Sequence, residues 1–252
     1  MPQIMLKNVS CFYKNKNEVV KALDDVTTFF ESGKINTIVG ESGGGKTTLI
    51  RCVAGLNEYD GDIYFDNALI NHYKAKDRNI SYVSQDYALY PHMSVFQNIA
   101  FPLTFTSATN AEIRKRVEDV AKLLDISLLL SRKPKQISIG QAQRVAIARA
   151  IVKRPNIYLL DEIFSNLDEK NKFAIRSDLR RIFNELQATV IFVTHDLKEA
   201  LAISDKIFVI SNGKIVEAGT PREIINSTNP LVSSFFKKEN LLWKNYIIKK
   251  IL

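Results

Sequence analysis

The chain has 252 residues, 46% of them hydrophobic, enough for one large domain or two small ones around a buried core. Its formal charge of +8 comes from 35 Lys and Arg against 27 Asp and Glu, and half of the excess lies in residues 237–252, where five lysines accompany one glutamate. Charge gathered in a tail argues against a nucleic-acid groove in the body. No apolar run approaches the roughly 20 residues that span a bilayer, and the N-terminus lacks a basic-apolar-small signal pattern. The expectation is a soluble or peripheral protein with no nucleic-acid partner. Cys11 and Cys52 form neither a metal-ligand spacing nor a disulfide framework, which suits a reducing compartment.

Residues 4–9 and 25–30 read as short strands on either side of a polar turn region, 14–18, and residues 62–65 with the turn Asp66-Asn67 add a third β stretch. An antiparallel β layer is expected there. Tyr13 is placed on the loop between the first two strands, where an aromatic ring can stack on a purine base. Ile35–Val39 is an apolar run of strand length, and residues 48–56 alternate polar and apolar positions at helical spacing. Between them lies GESGGGKTT, whose Gly40, Gly45, Lys46 and Thr47 satisfy the phosphate-loop pattern in its required strand-loop-helix context. Glycines let backbone N–H groups curl around phosphate oxygens, and the helix that follows points its positive end at the same anion. Gly40, Ser42, Gly43, Gly44, Gly45, Lys46, Thr47 and Thr48 are the candidate phosphate contacts. Lys46 adds a full charge for the β- and γ-phosphates, and the Thr47 hydroxyl is placed to ligate Mg²⁺.

Residues 80–83 form a strand that runs into Ser84-Gln85, after which residues 86–102 read as irregular, aromatic and Pro-containing. Thr109 and Glu112 form a capping box opening a helix with Ile113, Val117, Val120, Ala121 and Leu124 on one face. Pro134 breaks the chain ahead of a further helix over about 140–152, so residues 85–154 are expected to be a helical insert in an α/β domain. Residues 157–160 are an apolar strand ending at Asp161-Glu162, Glu169–Leu186 a long amphipathic helix, and residues 189–193 a strand ending at Thr194-His195. Two further strands flank Asn212-Gly213, a strong hairpin signal. Thr220-Pro221-x-Glu223 starts a last helix, and the turn cluster 226–230 closes a domain over 1–230, leaving 231–252 as a basic amphipathic tail.

In a parallel sheet the strand ends lie side by side, which makes Asp161 a candidate Mg²⁺ ligand and Glu162 a candidate general base. His195 ends a neighbouring strand and can orient the attacking water. Gln85 also ends a strand, where a neutral amide can touch Mg²⁺ and lead into the insert.

The stretch Ile137-Ser138-Ile139-Gly140-Gln141, running on through Gln143-Arg144-Val145-Ala146-Ile147-Ala148-Arg149-Ala150, resembles the signature sequence of ATP-binding-cassette (ABC) ATPases. The ordered set resembles that family over about residues 4–226. Tyr13 matches the adenine-stacking aromatic, residues 40–48 the Walker A loop, Gln85 the Q-loop, and Ser138, Gly140 and Gln141 the signature. Asp161-Glu162 match Walker B and its base, Ser165-Asn166-Leu167-Asp168 the D-loop, and His195 the switch histidine. The resemblance implies an α/β P-loop NTPase fold, with a mainly parallel core sheet, an antiparallel β subdomain and a helical insert subdomain. It implies ATP and Mg²⁺ as cofactors, with Lys46, Glu162 and His195 catalytic. Gln141 and Asp168 join the nucleotide contacts, and Thr47, Gln85 and Asp161 hold the metal. It further implies a second ABC ATPase subunit packed head to tail, permease subunits in the membrane, an extracytoplasmic solute-binding protein, and a peripheral place on the cytoplasmic face of the cell membrane.

Ala88-Leu89-Tyr90-Pro91-His92-Met93-Ser94-Val95, Asn98-Ile99-Ala100-Phe101 and Arg132-Lys133-Pro134 look like the ATPases of carbohydrate-uptake importers. That group usually carries a long C-terminal regulatory domain, whereas residues 227–252 follow here, so a polyamine, metal or anion importer stays open. A soluble ATPase of the same fold acting on ribosomes or DNA is the rival class, and a weakly hydrolysing cassette paired with a second ATPase is another. Two positions depart from the family pattern. Ile163 stands where proline usually follows Walker B, and Ile139 stands for the first of the two signature glycines. A β-branched residue at position 139 is strained if its φ is positive and only a steric matter if its φ is helical.

Overall fold

The computed structural model describes residues 1–15, 18–165 and 169–233, and its first feature is a long antiparallel hairpin. Strands β1 (Ile4–Asn15) and β2 (Glu18–Phe30) pair from Ile4 opposite Phe30 to Asn15 opposite Glu18. Tyr13 therefore lies inside β1, opposite Val20, and not on a loop as the sequence suggested. Aromatic and β-branched cross-strand neighbours favour pairing, and they carry the ladder out through the flanking lysines. The chain continues through β3 (Ile35–Val39) and α1 (Lys46–Ala54) to β4 (Asp60–Phe65) and β5 (Ala68–Leu69). β4 pairs with β1 and completes an antiparallel layer in the order β2-β1-β4-β5.

The central sheet adds β6 (Ile80–Val83), β7 (Ile157–Asp161), β8 (Thr189–Thr194), β9 (Lys206–Ser211) and β10 (Lys214–Gly219). Among the described residues its order is β10-β9-β3-β8-β7-β6, parallel throughout except for β10, the antiparallel edge. The turn between β9 and β10 holds Asn212 at φ 48 and Gly213 at φ 74, as an Asn-Gly hairpin requires. Every residue of β3, β7 and β8 is buried, because both faces of the sheet are covered. The alternation is visible on β7: Tyr158 and Leu160 join the core under the helices, while Ile157 and Leu159 join the core shared with α1 and the antiparallel layer. Cys11 and Cys52 both lie in this second core as buried free thiols.

The insert is built from α2 (Val95–Ala100), α3 (Asn110–Leu123) and α4 (Ile139–Ile151), each opened by a complete capping box: Ser94 with Gln97, Thr109 with Glu112, and Ser138 with Gln141. Residues 86–102 are not irregular throughout, since α2 lies within them. Its apolar side is short, and the buried amide of Asn98 holds it by donating to the carbonyls of Tyr90 and Ser94 and accepting from Tyr90 N–H. Val117, Val120, Ala121 and Leu124 are buried on α3 as the spacing anticipates, with Ile113 packed at the edge. The chain then completes the sheet's cover with α5 (Glu169–Leu186), α6 (Leu197–Ile203) and α7 (Pro221–Ile225), the last opened by Thr220 and Glu223. Packing continues as far as Val232, which is buried against α6 and α7. The basic tail over 237–252 and the D-loop residues Asn166, Leu167 and Asp168 lie outside the described residues.

Thr109→Ala removes the acceptor for Glu112 N–H at the head of α3. It is expected to cost about 1 kcal/mol of stability, read as a lower urea midpoint for the nucleotide-free chain. An unchanged midpoint would mean that α3 does not unfold with the rest.

Candidate functional site

Register brings the site together. Val39 lies opposite Thr194, Asp161 opposite Val193, and Val83 opposite Leu160, so the residues that follow β3, β6, β7 and β8 emerge along one edge of the sheet. That edge carries the phosphate loop, Gln85, Asp161-Glu162 and His195.

Two of the loop glycines are required by the chain's own packing. A Cβ on Gly40 would sit 2.3 Å from the carbonyl oxygen of Ile210. Gly45 caps α1 at φ 103, and a Cβ there would sit 2.6 Å from the carbonyl oxygen of Ala22. Lys46 is 4% exposed. Its ammonium turns back into the loop, donating to the carbonyls of Gly40 (3.0 Å) and Glu41 (2.9 Å), with Glu162 Oε1 at 3.6 Å. Burial pulls the Lys46 ammonium below its ordinary range, and Glu162 and Asp161 oppose that shift.

Glu162 adopts φ 47, its N–H donates to Val193 carbonyl, and its Oε2 lies 3.1 Å from His195 Nδ1. Lys46, Glu162 and His195 thus form one connected set. Asp161, 4% exposed, accepts from the Thr47 hydroxyl at Oδ1 (3.0 Å) and from the Tyr82 hydroxyl at Oδ2 (2.8 Å). Gln85 Nε2 donates to Ser165 Oγ at 3.4 Å. The Tyr13 hydroxyl lies 3.2 Å from Thr48 Oγ1 and accepts from Asn57 Nδ2 at 2.7 Å, which ties the exposed ring beside the loop. Tyr13, Ser42, Gly43, Gly45, Lys46, Thr47, Thr48, Gln85 and Glu162 line one open cleft of about 490 Å³.

Ser138, Gly140 and Gln141 do not line that cleft. They begin α4, where Ser138 Oγ accepts from Gln141 N–H and Gln141 Oε1 accepts from Ser138 N–H. Ile139 is the first residue of that helix, has no positive φ, and is 60% exposed. Its cost is steric, on an outward surface. Ile163 is fully buried, and its carbonyl accepts from the Tyr87 hydroxyl. Tyr82, Asn57 and Arg149 were missed from sequence. Arg149 donates to the carbonyls of Tyr87 and Ala88, both at positive φ, and so pins the segment that leads from Gln85 into the insert. Only the period-2 placement of Tyr82 in its strand hinted at any of them.

Thr47 and Asp161 offer hard oxygen donors beside the phosphate loop, and the described residues hold no group of three or more His, Cys, Asp or Glu side chains that could hold a metal ion. That set fits a small divalent ion that takes its other ligands from phosphate and water.

A family model described as ABC transporter matches residues 23–165. The chain belongs to the ABC transporter family. Its fold is the P-loop NTPase fold of that family's cassettes. The oligosaccharides import ATP-binding protein MsmX of Bacillus subtilis is 43% identical over 89% of this chain and 61% of its own length. The glucose import ATP-binding protein GlcV of Saccharolobus solfataricus is 44% identical over 90% of this chain and 65% of its own. The sn-glycerol-3-phosphate import ATP-binding protein UgpC of Psychromonas ingrahamii is 41% identical over 93% and 63%. The chain thus spans less than two thirds of the length of each of these relatives. A dimeric structure of the ATP-binding cassette MJ0796 in a post-hydrolysis state, bound to ADP and Pi, superposes with a TM-score of 0.79 at 31% identity, covering 87% of this chain and 99% of that one.

Burial raises the Asp161 carboxyl above the usual carboxylate range; the Tyr82 and Thr47 donors and the charge of Lys46 lower it, and Glu162 raises it further. A carboxyl raised on folding contributes stability below its unfolded value and loses it as pH rises through the folded one. In the nucleotide-free, metal-free chain, Asp161→Asn is expected to melt at or above the parent temperature near about pH 8, with the difference closing toward about pH 4. A variant less stable at every pH would show that the ionised carboxylate is well compensated.

Proposed function

We propose that this chain is the ATP-hydrolysing subunit of an ABC importer for a sugar or another small solute. The observation that carries the proposal is the connected set of Lys46, Glu162 and His195 above the phosphate loop, at 3.6 and 3.1 Å. In this reading Lys46 leaves its loop carbonyls to meet the β- and γ-phosphates. Glu162 accepts a proton from the attacking water, and His195 holds that carboxylate and the water in line. Thr47, Asp161 and Gln85 would hold Mg²⁺, which supplies charge neutralisation at the phosphates. Tyr13 stacks on the adenine. Asp168 is retained as a contact across the interface on sequence grounds alone.

A single chain leaves the cleft open, with Ser138, Gly140 and Gln141 outside it. This supports a head-to-tail pair in which each subunit's α4 start closes the other's nucleotide site. The structural neighbours described as dimeric cassettes support pairing of two such subunits. No helix among the described residues is long and apolar enough to cross a membrane. In this reading permease subunits form the pore. A groove of about 700 Å³ between β6 and the insert, with Phe105 exposed at its rim, offers those subunits a contact on the segment pinned by Arg149. ATP-driven closure would reach them through that segment. The solutes named for the three relatives, oligosaccharides, glucose and sn-glycerol-3-phosphate, favour a carbohydrate or a polyol phosphate; in this reading an extracytoplasmic binding protein delivers it to a complex whose cassettes sit on the cytoplasmic face.

Glu162→Gln is expected to keep Mg·ATP binding, to lower turnover by about 10²-fold or more, and to accumulate as a closed dimer on gel filtration with Mg·ATP. Turnover near the parent rate would remove Glu162 as the base. Ile139→Gly, assayed in the reconstituted complex, is expected to raise turnover by easing approach of the two subunits, at a cost of up to about 1 kcal/mol in helix stability. Equal or slower turnover would mean that the isoleucine is accommodated at the interface.

A further inference from the structure

Asp161 is a buried carboxylate at the end of β7, and its two oxygens are held differently. Oδ1 accepts from Thr47, which leads the helix after the phosphate loop; Oδ2 accepts from Tyr82, on the neighbouring strand β6. Tyr82 lies opposite Leu159 in the β6–β7 ladder, so its position relative to Asp161 is set by strand pairing and not by a loop. Its ring packs at the edge of the core shared with α1. The phenol O–H is the donor of the 2.8 Å contact to Oδ2.

Resting on the reading of the cleft as an Mg·ATP site, we infer that Tyr82 is a positioning residue for the divalent cation. It anchors one oxygen of Asp161, so that the other stays aimed at Thr47. The Thr47 hydroxyl has one proton and two lone pairs. With its proton committed to Asp161 Oδ1, its lone pairs face away from the carboxylate and are free for an ion. Without the phenol, Oδ2 is a buried acceptor with no donor among the described residues, and the carboxylate can turn toward Lys46, whose charge attracts it. That turn would break the Thr47 contact and scatter both metal donors. Outer partners that orient ligands in this way commonly change metal affinity tenfold or more on removal.

Tyr82→Phe keeps the ring and removes the hydroxyl. Tyr82→Met fills the same space with no donor and guards against a phenylalanine-specific packing fault. Each is compared with the parent chain by titrating a fluorescent, non-hydrolysable ATP analogue, once in EDTA and once in saturating Mg²⁺. Mn²⁺ bound in the presence of the same analogue is followed by electron paramagnetic resonance. The expected result is equal affinity in EDTA, about fivefold or greater weakening in Mg²⁺, and an altered Mn²⁺ spectrum. Unchanged or tighter binding in Mg²⁺ overturns the role of Tyr82, and so does an equal loss with and without the ion, which would mark a purely structural effect. If the parent chain itself gains nothing from Mg²⁺, the reading of the cleft falls, and this inference with it.

Discussion

A lysine ammonium buried to 4% exposure at the head of a parallel sheet is the constraint that the rest of the site answers. Such a charge is costly to hold away from water unless oxygen partners surround it. Its partners here are two carbonyls of its own loop and the Glu162 carboxylate. The loop must curl tightly to deliver the carbonyls, and glycine at 40 and 45 is what the curl and the neighbouring backbone of Ile210 and Ala22 allow. The same curl leaves a concave, electropositive seat. A polyphosphate bound there, as proposed, would set full negative charge in place of the carbonyl dipoles, a favourable exchange for the ammonium.

The sheet is the alignment device for everything else. Parallel strands end together, and the turn after each one starts from nearly the same height. Glu162 is set by its N–H on Val193 and a positive φ, which directs its carboxylate between Lys46 and His195. Polar contacts that tie the insert to this frame include the Tyr87 hydroxyl on the carbonyl of Ile163, the Ser81 hydroxyl on the carbonyl of Ala150, and Arg144 on Asp178. The residue after Walker B thus touches the segment after Gln85. A change at the carboxylates has a short physical route to the insert, and a buried isoleucine occupies its middle.

On the proposed reading the signature stretch serves a second subunit. Its serine and glutamine are locked to each other at the start of α4, and its isoleucine points outward. Nothing in that stretch completes the cleft of the same chain. The helical backbone at Ile139 removes the strain that a positive φ would have imposed and leaves side-chain bulk as the only difference from glycine.

Local chemistry was legible in the sequence. The phosphate loop, the strand ends at Gln85, Asp161 and His195, the Asn-Gly hairpin and the capping boxes at Thr109 and Thr220 each depend on residues within a few positions of one another, and all lie where the pattern placed them. What depended on distant partners was not legible. Tyr13 proved to be a strand residue because β2 extends the ladder, and α2 formed because Asn98 and the insert core support a helix too short to announce itself. The Thr47–Asp161 and Tyr82–Asp161 contacts span 114 and 79 residues, and only the register of β6 beside β7, of β7 beside β8 and of β8 beside β3 decides that they meet. Spacing along a chain encodes which face a side chain takes; which side chain it finds there is decided by how strands pair and layers pack.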